Sequence, residues 1–159
     1  MKNKVSVTIR KAEATDVDIL RELFSNCVMT VCANDYSNEQ LKVWISAADN
    51  RDIWSDKIRF QFFQVAEREG TIVGFGSLEG HDIIDLLYVH PEFQRIGIAN
   101  GILGALLSRS KKEHVSLIKA DVSKTARPFF ESHGFRVRQE QAVTSHGISV
   151  INYKMEKNL

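Results

Sequence analysis

Residues 86–103 read LLYVHPEFQRIGIANGIL, and this stretch decides how the whole chain is read. Leu86, Leu87, Tyr88 and Val89 form a short apolar run, the pattern of a strand covered on both faces. Pro91 ends it, because proline cannot donate to a strand ladder. Gln94-Arg95-Ile96-Gly97-Ile98-Ala99 then opens a helix. Its apolar residues Ile98, Ile102, Leu103, Leu106 and Leu107 are spaced by three and four, so they share one helical face. A strand that enters a helix through a turn of small residues is an anion site. The first N–H groups of the helix lack intrahelical partners, and the macrodipole favours negative charge there. Gly97 and Ala99 lack the bulk that would hold a pyrophosphate away from the backbone.

The same segment resembles the acyl-CoA-binding motif of the GNAT N-acetyltransferases. That motif runs Gln or Arg, two residues, Gly, one residue, then Gly or Ala. Gln94, Gly97 and Ala99 fill it in register, and Leu87-Tyr88-Val89-His90-Pro91 before it is of the family's type. An ordinary strand-to-helix turn with a steric glycine is the alternative, and the flanking strand and helix favour the motif. Tyr36-Ser37-Asn38-Glu39-Gln40-Leu41…Trp44 and Arg127-Pro128-Phe129-Phe130-Glu131…Gly134-Phe135 resemble, within the superfamily, a bacterial subgroup of the YafP type.

The rest of the chain is consistent with this. Its 159 residues are expected to form one domain, residues 1–159, with a core large enough to need no staples. The formal net charge of +1 gives no general pull toward nucleic acid or membrane. There is no nucleic-acid motif or continuous basic face, and no apolar stretch of membrane-spanning length. Between Gln94 and Pro128, however, seven basic residues stand against Glu113 and Asp121. That bias suits a phosphate-rich ligand, or a solvated helix surface. Cys27 and Cys32 are the only cysteines. They are too few for a zinc site and read as reduced thiols, so no metal and a cytoplasmic address are expected.

Alternation in Val5–Ile9 predicts a first strand. Thr15 or Asp16 caps a helix carrying Val17, Leu20, Leu23 and Phe24, and Ser37–Gln40 has the form of a capping box for a second. Phe60–Glu67 and Thr71–Leu78 read as a hairpin, followed by a strand at Ile83–Val89 and a helix to about Lys112. Val115–Asp121 is a strand, and Ser123 caps a helix through Glu131 that Gly134 ends in the left-handed conformation. Phe135–Val143 and Ile148–Met155 close the chain as a hairpin. The expectation is an α/β (α+β) mixed sheet of about seven strands and four helices, the order that the GNAT resemblance implies.

The resemblance also implies a chemistry. Acetyl-CoA would donate its acetyl group to a primary amine, on a small molecule or a peptide, by direct attack in a ternary complex. The cofactor would lie against Leu87, Tyr88, Val89 and the Gln94, Arg95, Ile96, Gly97, Ile98, Ala99, Asn100 loop, with Ser123 and Phe130 nearby. Val89 would bond pantetheine, and the Leu87 N–H would stabilise the oxyanion, an effect worth about 2.7–4 kcal/mol per donor. The amine, with a lysine-like pKa of about 10.4, must lose a proton before attack. Strand alternation puts Asp85, Leu87 and Val89 on one face and Tyr88 on the other. Asp85 is therefore the candidate base, or the group that positions a water acting as base. A carboxylate bonded to nearby backbone or to an arginine is the competing role.

Phe130 stands where many GNAT enzymes carry a tyrosine that protonates the leaving thiolate, and Ser123 replaces a common asparagine. Tyr153, on the last strand, is the substitute acid considered, ahead of Tyr88. A thiol with pKa around 8.5 also leaves unassisted. On the acceptor side, Tyr36 and Trp44 with the acids of the N-terminal helices suit a cationic amine, although Trp44 also reads as core. Glu79 and His81 occupy a strand-connecting turn that could face the acceptor, His81 also reading as an exposed turn residue. A monomer or a homodimer is compatible with all of this. The second functional reading is a non-catalytic acyl-CoA sensor.

Overall fold

The structure is a computed structural model and describes residues 6–159. Val5, the start of the predicted first strand, lies outside them. Seven strands form one mixed sheet in the order β1-β2-β3-β4-β5-β7-β6. They are β1 (Thr8–Lys11), β2 (Phe62–Arg68), β3 (Thr71–Glu79), β4 (Ile83–Val89), β5 (Leu117–Ser123), β6 (Arg136–Ser145) and β7 (Ile148–Asn158). The helices are α1 (Val17–Val31), α2 (Asn38–Ile45), α3 (Arg51–Phe60), α4 (Ile98–Lys112) and α5 (Arg127–Ser132). Helices α1–α3 cover one face of the sheet. There Leu20, Phe24, Trp54 and Ile58 pack on Phe63, Phe75 and Leu86. Helix α4 covers the other, where Ile98, Ile102, Leu103 and Leu106 meet Val73, Val89, Ile118 and Val122.

Local chemistry explains most boundaries. Ser37 Oγ accepts the Gln40 N–H at 3.2 Å, and Gln40 Oε1 accepts the Ser37 N–H at 2.8 Å, so the capping box forms as read. Glu69 and Gly70, at φ 52° and 79°, turn β2 into β3. Gly134, at φ 84°, ends α5. Ser123 belongs to β5, and its Oγ accepts the Ala126 N–H at 3.0 Å. It therefore closes the turn before α5 and does not cap the helix itself.

Helix α3 is the main element that periodicity does not reveal, and it brings the number of α-helices to five. Only Trp54 and Ile58 face inward, one spacing of four among charged neighbours. Asn50 Oδ1 caps it by accepting the Ile53 N–H at 3.2 Å. Helix and cap together displace the start of β2 from Phe60 to Phe62.

Two irregularities shape the sheet centre. Opposite β4, Ser77 pairs with Leu86 but Leu78 pairs with Ile84, so Asp85 is an extra residue, a β-bulge. A bulge shifts the period by one. Leu86 and Tyr88 consequently face α1–α3, Leu87 and Val89 face α4, and Asp85 reaches α3. The expectation that Asp85, Leu87 and Val89 share a face, with Tyr88 opposite, is overturned: Asp85 and Tyr88 lie on the same side. The second irregularity is the parallel β4–β5 junction, which pairs only at Ile83↔Lys119 and Ile84↔Ala120. Beyond it the two strands separate.

Helix α4 sits close to β3 because Gly74 and Gly76 have no side chains. A Cβ on Gly76 would stand 2.6 Å from Ile102 Cγ2 and 3.1 Å from the Leu86 backbone oxygen. Gly76→Ala is expected to cost roughly 1–3 kcal/mol by overpacking, read as a lower urea midpoint at unchanged m. At the other edge, Arg10 donates to Asp16 at 2.8 and 3.1 Å and to Glu67 at 2.8 Å. The Arg10 guanidinium holds the Asp16 carboxyl below its usual range, aided by the Glu13 N–H and opposed by burial. A depressed folded-state pKa contributes stability above the unfolded value of about 3.9, which is lost as pH falls through the folded value. Asp16→Asn should therefore narrow the stability difference between pH 7 and pH 3 in denaturant titrations.

Candidate active site

The separation of β4 from β5 opens a cleft of about 1130 Å³. One wall is Ile84–Val89, the other Ala120–Ser123, and the N-terminus of α4 closes one end. Helix α1 contributes Cys27, the segment after it Cys32 and Tyr36, and α2 Trp44. The β6–β7 hairpin adds Val143, Val150 and Asn152.

The β4 edge facing this gap is unpaired. The His90 N–H donates to Val73 O at 2.8 Å, which sets the antiparallel ladder between β3 and β4. By alternation, Leu86 and Tyr88 bond β3; their carbonyls indeed lie 3.1 Å from the positions of a Cβ on Gly76 and Gly74. The N–H and C=O groups of Leu87 and Val89 point the other way, into the gap. Val89 O accepts the Gln94 Nε2–H at 2.6 Å and the Cys27 thiol at 3.1 Å. Gln94, the first motif residue, thus folds back on the strand edge and occupies the carbonyl expected to bond pantetheine.

At the mouth of α4 the chain takes two left-handed residues, Arg95 at φ 59° and Gly97 at φ 91°. A left-handed arginine is a strained choice, while glycine is the default. Together they turn successive N–H groups toward one point, a nest for an anion. Gly101 N–H to Gly97 O, at 3.0 Å, is the first bond of α4. The N–H groups of Ile98, Ala99 and Asn100 before it have no intrahelical acceptor. Nothing lies within 4 Å of a Cβ placed on Gly97. The backbone there is open to an approaching group. Ile96 is exposed. Asn100 Oδ1 is bonded to His133 Nε2 at 2.8 Å, which ties α4 to the end of α5.

Asp85 lines the cleft at the bulge. Its Oδ2 accepts Lys57 Nζ at 2.5 Å and Gln61 Nε2 at 2.9 Å, both from α3 or its last turn. Its Oδ1 has no partner among the described residues. The competing role foreseen for this carboxylate, pairing with a cation, is therefore realised, with lysine in place of arginine. Lys57 and Gln61 are the site residues that reading the sequence missed, because α3 itself was missed.

Other predicted residues separate clearly. Tyr36 is buried and bridges three elements: its hydroxyl donates to Ile151 O at 2.6 Å and accepts the Lys124 N–H at 2.9 Å. Trp44 stands edge-on to Tyr36 at 5.4 Å, is partly buried against the α1–α3 core, as its second reading expected, and also lines the cleft. Phe130 lines the cleft with its ring packed on Phe129 and Phe135. Tyr153 pairs with Val122 across β5–β7 and lies under the Arg127 guanidinium at 4.6 Å, on the α5 side. It is not part of the cleft lining, and neither are Glu79 and His81. His81 sits by the C-terminal end of α4, 3.9 Å from Glu113, at the far end of β4 from the motif. Asn152 Oδ1 is a missed feature: it is buried, lines the cleft and has no partner.

A strand pair splayed beside an anion-binding helix start defines an acyl-CoA N-acyltransferase class of fold, and sequence comparison agrees. The family model of the GNAT acetyltransferase domain matches residues 32–157, and the chain belongs to that family. It is 32% identical over 150 residues to the uncharacterized N-acetyltransferase YafP of Escherichia coli K12, covering 94% of this chain and 95% of that one. A crystal structure of a GCN5-related N-acetyltransferase from Rhodopseudomonas palustris superposes with a TM-score of 0.93 at 30% identity, covering 97% and 96% of the two chains. The PaiA N-acetyltransferase of Thermoplasma acidophilum, solved with coenzyme A, shares the fold with a TM-score of 0.80 at 22% identity, over 97% and 99%. Among the described residues, no helix is long and apolar enough to cross a membrane.

Burial, with a smaller contribution from Cys32, pushes the Cys27 thiol up to about 12. Since the thiolate is the nucleophile, Cys27 should resist iodoacetamide at pH 8 in the folded protein and react readily in urea. Peptide mass mapping of the alkylated residues checks this.

Proposed function

We propose that this protein transfers the acetyl group of acetyl-CoA to a primary amine by direct attack within the cleft. The observation that carries the reading is the unpaired Leu87–Val89 edge running straight into the Gly97 nest. Acetyl-CoA, when bound, supplies an activated thioester. The chain's own groups do the rest. The N–H groups from Gly97 to Asn100 hold the diphosphate, with the dipole of α4 behind them. The Val89 N–H bonds the pantetheine arm as an added strand would. Gln94 yields the Val89 carbonyl when that arm enters. The Leu87 N–H donates to the acyl oxygen as negative charge gathers there.

Asp85 takes the proton of the attacking ammonium, directly or through one water, on the oxygen that Lys57 and Gln61 leave open. The bulge supports this role by turning the carboxylate to the α1–α3 side, where α2 and the β6–β7 hairpin frame room for an acceptor. The thiolate leaves without a phenol. Phe130 has no proton to give, Tyr153 lies on the other face, and the Tyr36 hydroxyl is committed to Ile151. Two buried unpaired thiols, Cys27 and Cys32, are compatible with a reducing compartment such as the cytoplasm.

Asp85→Asn is expected to lower kcat on the order of 10²–10⁴-fold while leaving the KM for acetyl-CoA unchanged. Gly97→Val should do the opposite, weakening acetyl-CoA at least tenfold by calorimetry, through backbone strain and a filled nest. Release of CoA thiol, followed with a chromogenic disulfide, measures the first. Tight acetyl-CoA binding with no thiol release for any amine would favour the sensor reading.

A further inference from the structure

Once the Gly97 nest and the Leu87–Val89 edge are assigned to the cofactor, the remaining half of the cleft is the acceptor's. Its walls are Tyr36, Val43, Trp44, Tyr88, Val143 and Val150. Burial raises the Tyr36 and Tyr88 hydroxyls above their ordinary pKa, so both walls are neutral. The acids expected to grip a cation, Asp35, Glu39, Asp49, Asp52 and Asp56, are all exposed, and none lines the cleft. Of the two carboxylates that do, Asp85 is neutralised by Lys57 and Asp121 stands exposed on β5. Among the described residues, Arg95 on the motif loop is the cation in the cleft lining, and Lys124 Nζ stands over the Tyr36 ring at 5.4 Å.

This charge pattern discriminates between amines. A polyamine or aminoglycoside would bring several charges to a pocket with little to meet them, and each unpaired charge costs desolvation. A free amino acid would bring a carboxylate to a half-cleft whose nearest cation, Lys124, already lies over the Tyr36 ring at 5.4 Å. A peptide would bring backbone groups that apolar walls leave unbonded. What the walls do offer is the Trp44 and Tyr88 rings for one ammonium, apolar area for a ring or branched chain, and Asn152 Oδ1, unpartnered among the described residues, as an acceptor.

From this pattern we infer that the acceptor is a monoamine, one positive charge on an apolar, ring-sized body. The body lies against Trp44, Tyr88 and Val150, and the ammonium is within reach of Asn152 and Asp85. This rests on the acetyltransferase reading and narrows it. The test is a CoA-release panel with 2-phenylethylamine, phenylalanine, spermidine, kanamycin and a tripeptide. Phenylalanine differs from 2-phenylethylamine only by its carboxylate. The expected result is a kcat/KM for 2-phenylethylamine at least a hundredfold above every other member. Trp44→Ala should raise its KM about tenfold and leave that of acetyl-CoA unchanged. A polyamine, aminoglycoside, amino acid or peptide turning over as well or better overturns the assignment and leaves the acetyltransferase reading standing. No thiol release with any member overturns both.

Discussion

The rest of the structure depends on how little β4 and β5 are joined. They share parallel pairing at two positions, Ile83↔Lys119 and Ile84↔Ala120, and then part. A continuous ladder would have satisfied Leu87 and Val89 internally and left no cleft. The backbone groups at that edge are instead kept free at the centre of a seven-stranded sheet, where exposure is costly unless a ligand bonds them. Gln94 and Cys27 satisfy the Val89 carbonyl. The sheet survives the opening because each half is secured elsewhere: β4 on β3, β5 on β7, with α4 packed behind β2, β3 and β4.

The bulge at Asp85 is the second device, and it works together with the splay. One extra residue turns a carboxylate to the α1–α3 side while Leu87 and Val89 keep their backbones toward the β4–β5 gap. In the reaction we propose, the two reactants meet across this single strand, main chain serving one and side chain the other. Helix α3 completes the arrangement by fixing one carboxylate oxygen through Lys57 and Gln61. Orientation of this kind, rather than any single strong contact, is how a site of ordinary residues lowers a barrier. The apolar acceptor walls make an unpaired charge costly and place selectivity on the body of the amine rather than on its charge.

Much of this was legible in residues 1–159 alone. The motif around Gly97, the capping box at Ser37, the left-handed Gly134 and nearly every strand follow from local rules, because each is decided by a few neighbouring residues. The strand, turn and helix start around Gly97 were readable for the same reason: they are contiguous in sequence. Helix α3 was not, since only two of its side chains face inward and its stability comes from what Trp54 and Ile58 touch. The facing of Asp85 was not either, because strict alternation assumes a regular ladder, and a bulge is a property of two strands.

The sequence by itself thus determined the family, most of the strand and helix order and the strand–turn–helix around Gly97, all of which rest on local pattern. Only the tertiary structure decided which side Asp85 faces, that Lys57 and Gln61 hold it, that Tyr153, Glu79 and His81 stand away from the cleft, and that the acceptor half is lined by neutral rings. Those outcomes depend on contacts between residues far apart in the chain, such as Asp85 with Lys57 and Tyr36 with Ile151. No window of sequence contains both partners, so no periodicity could announce them.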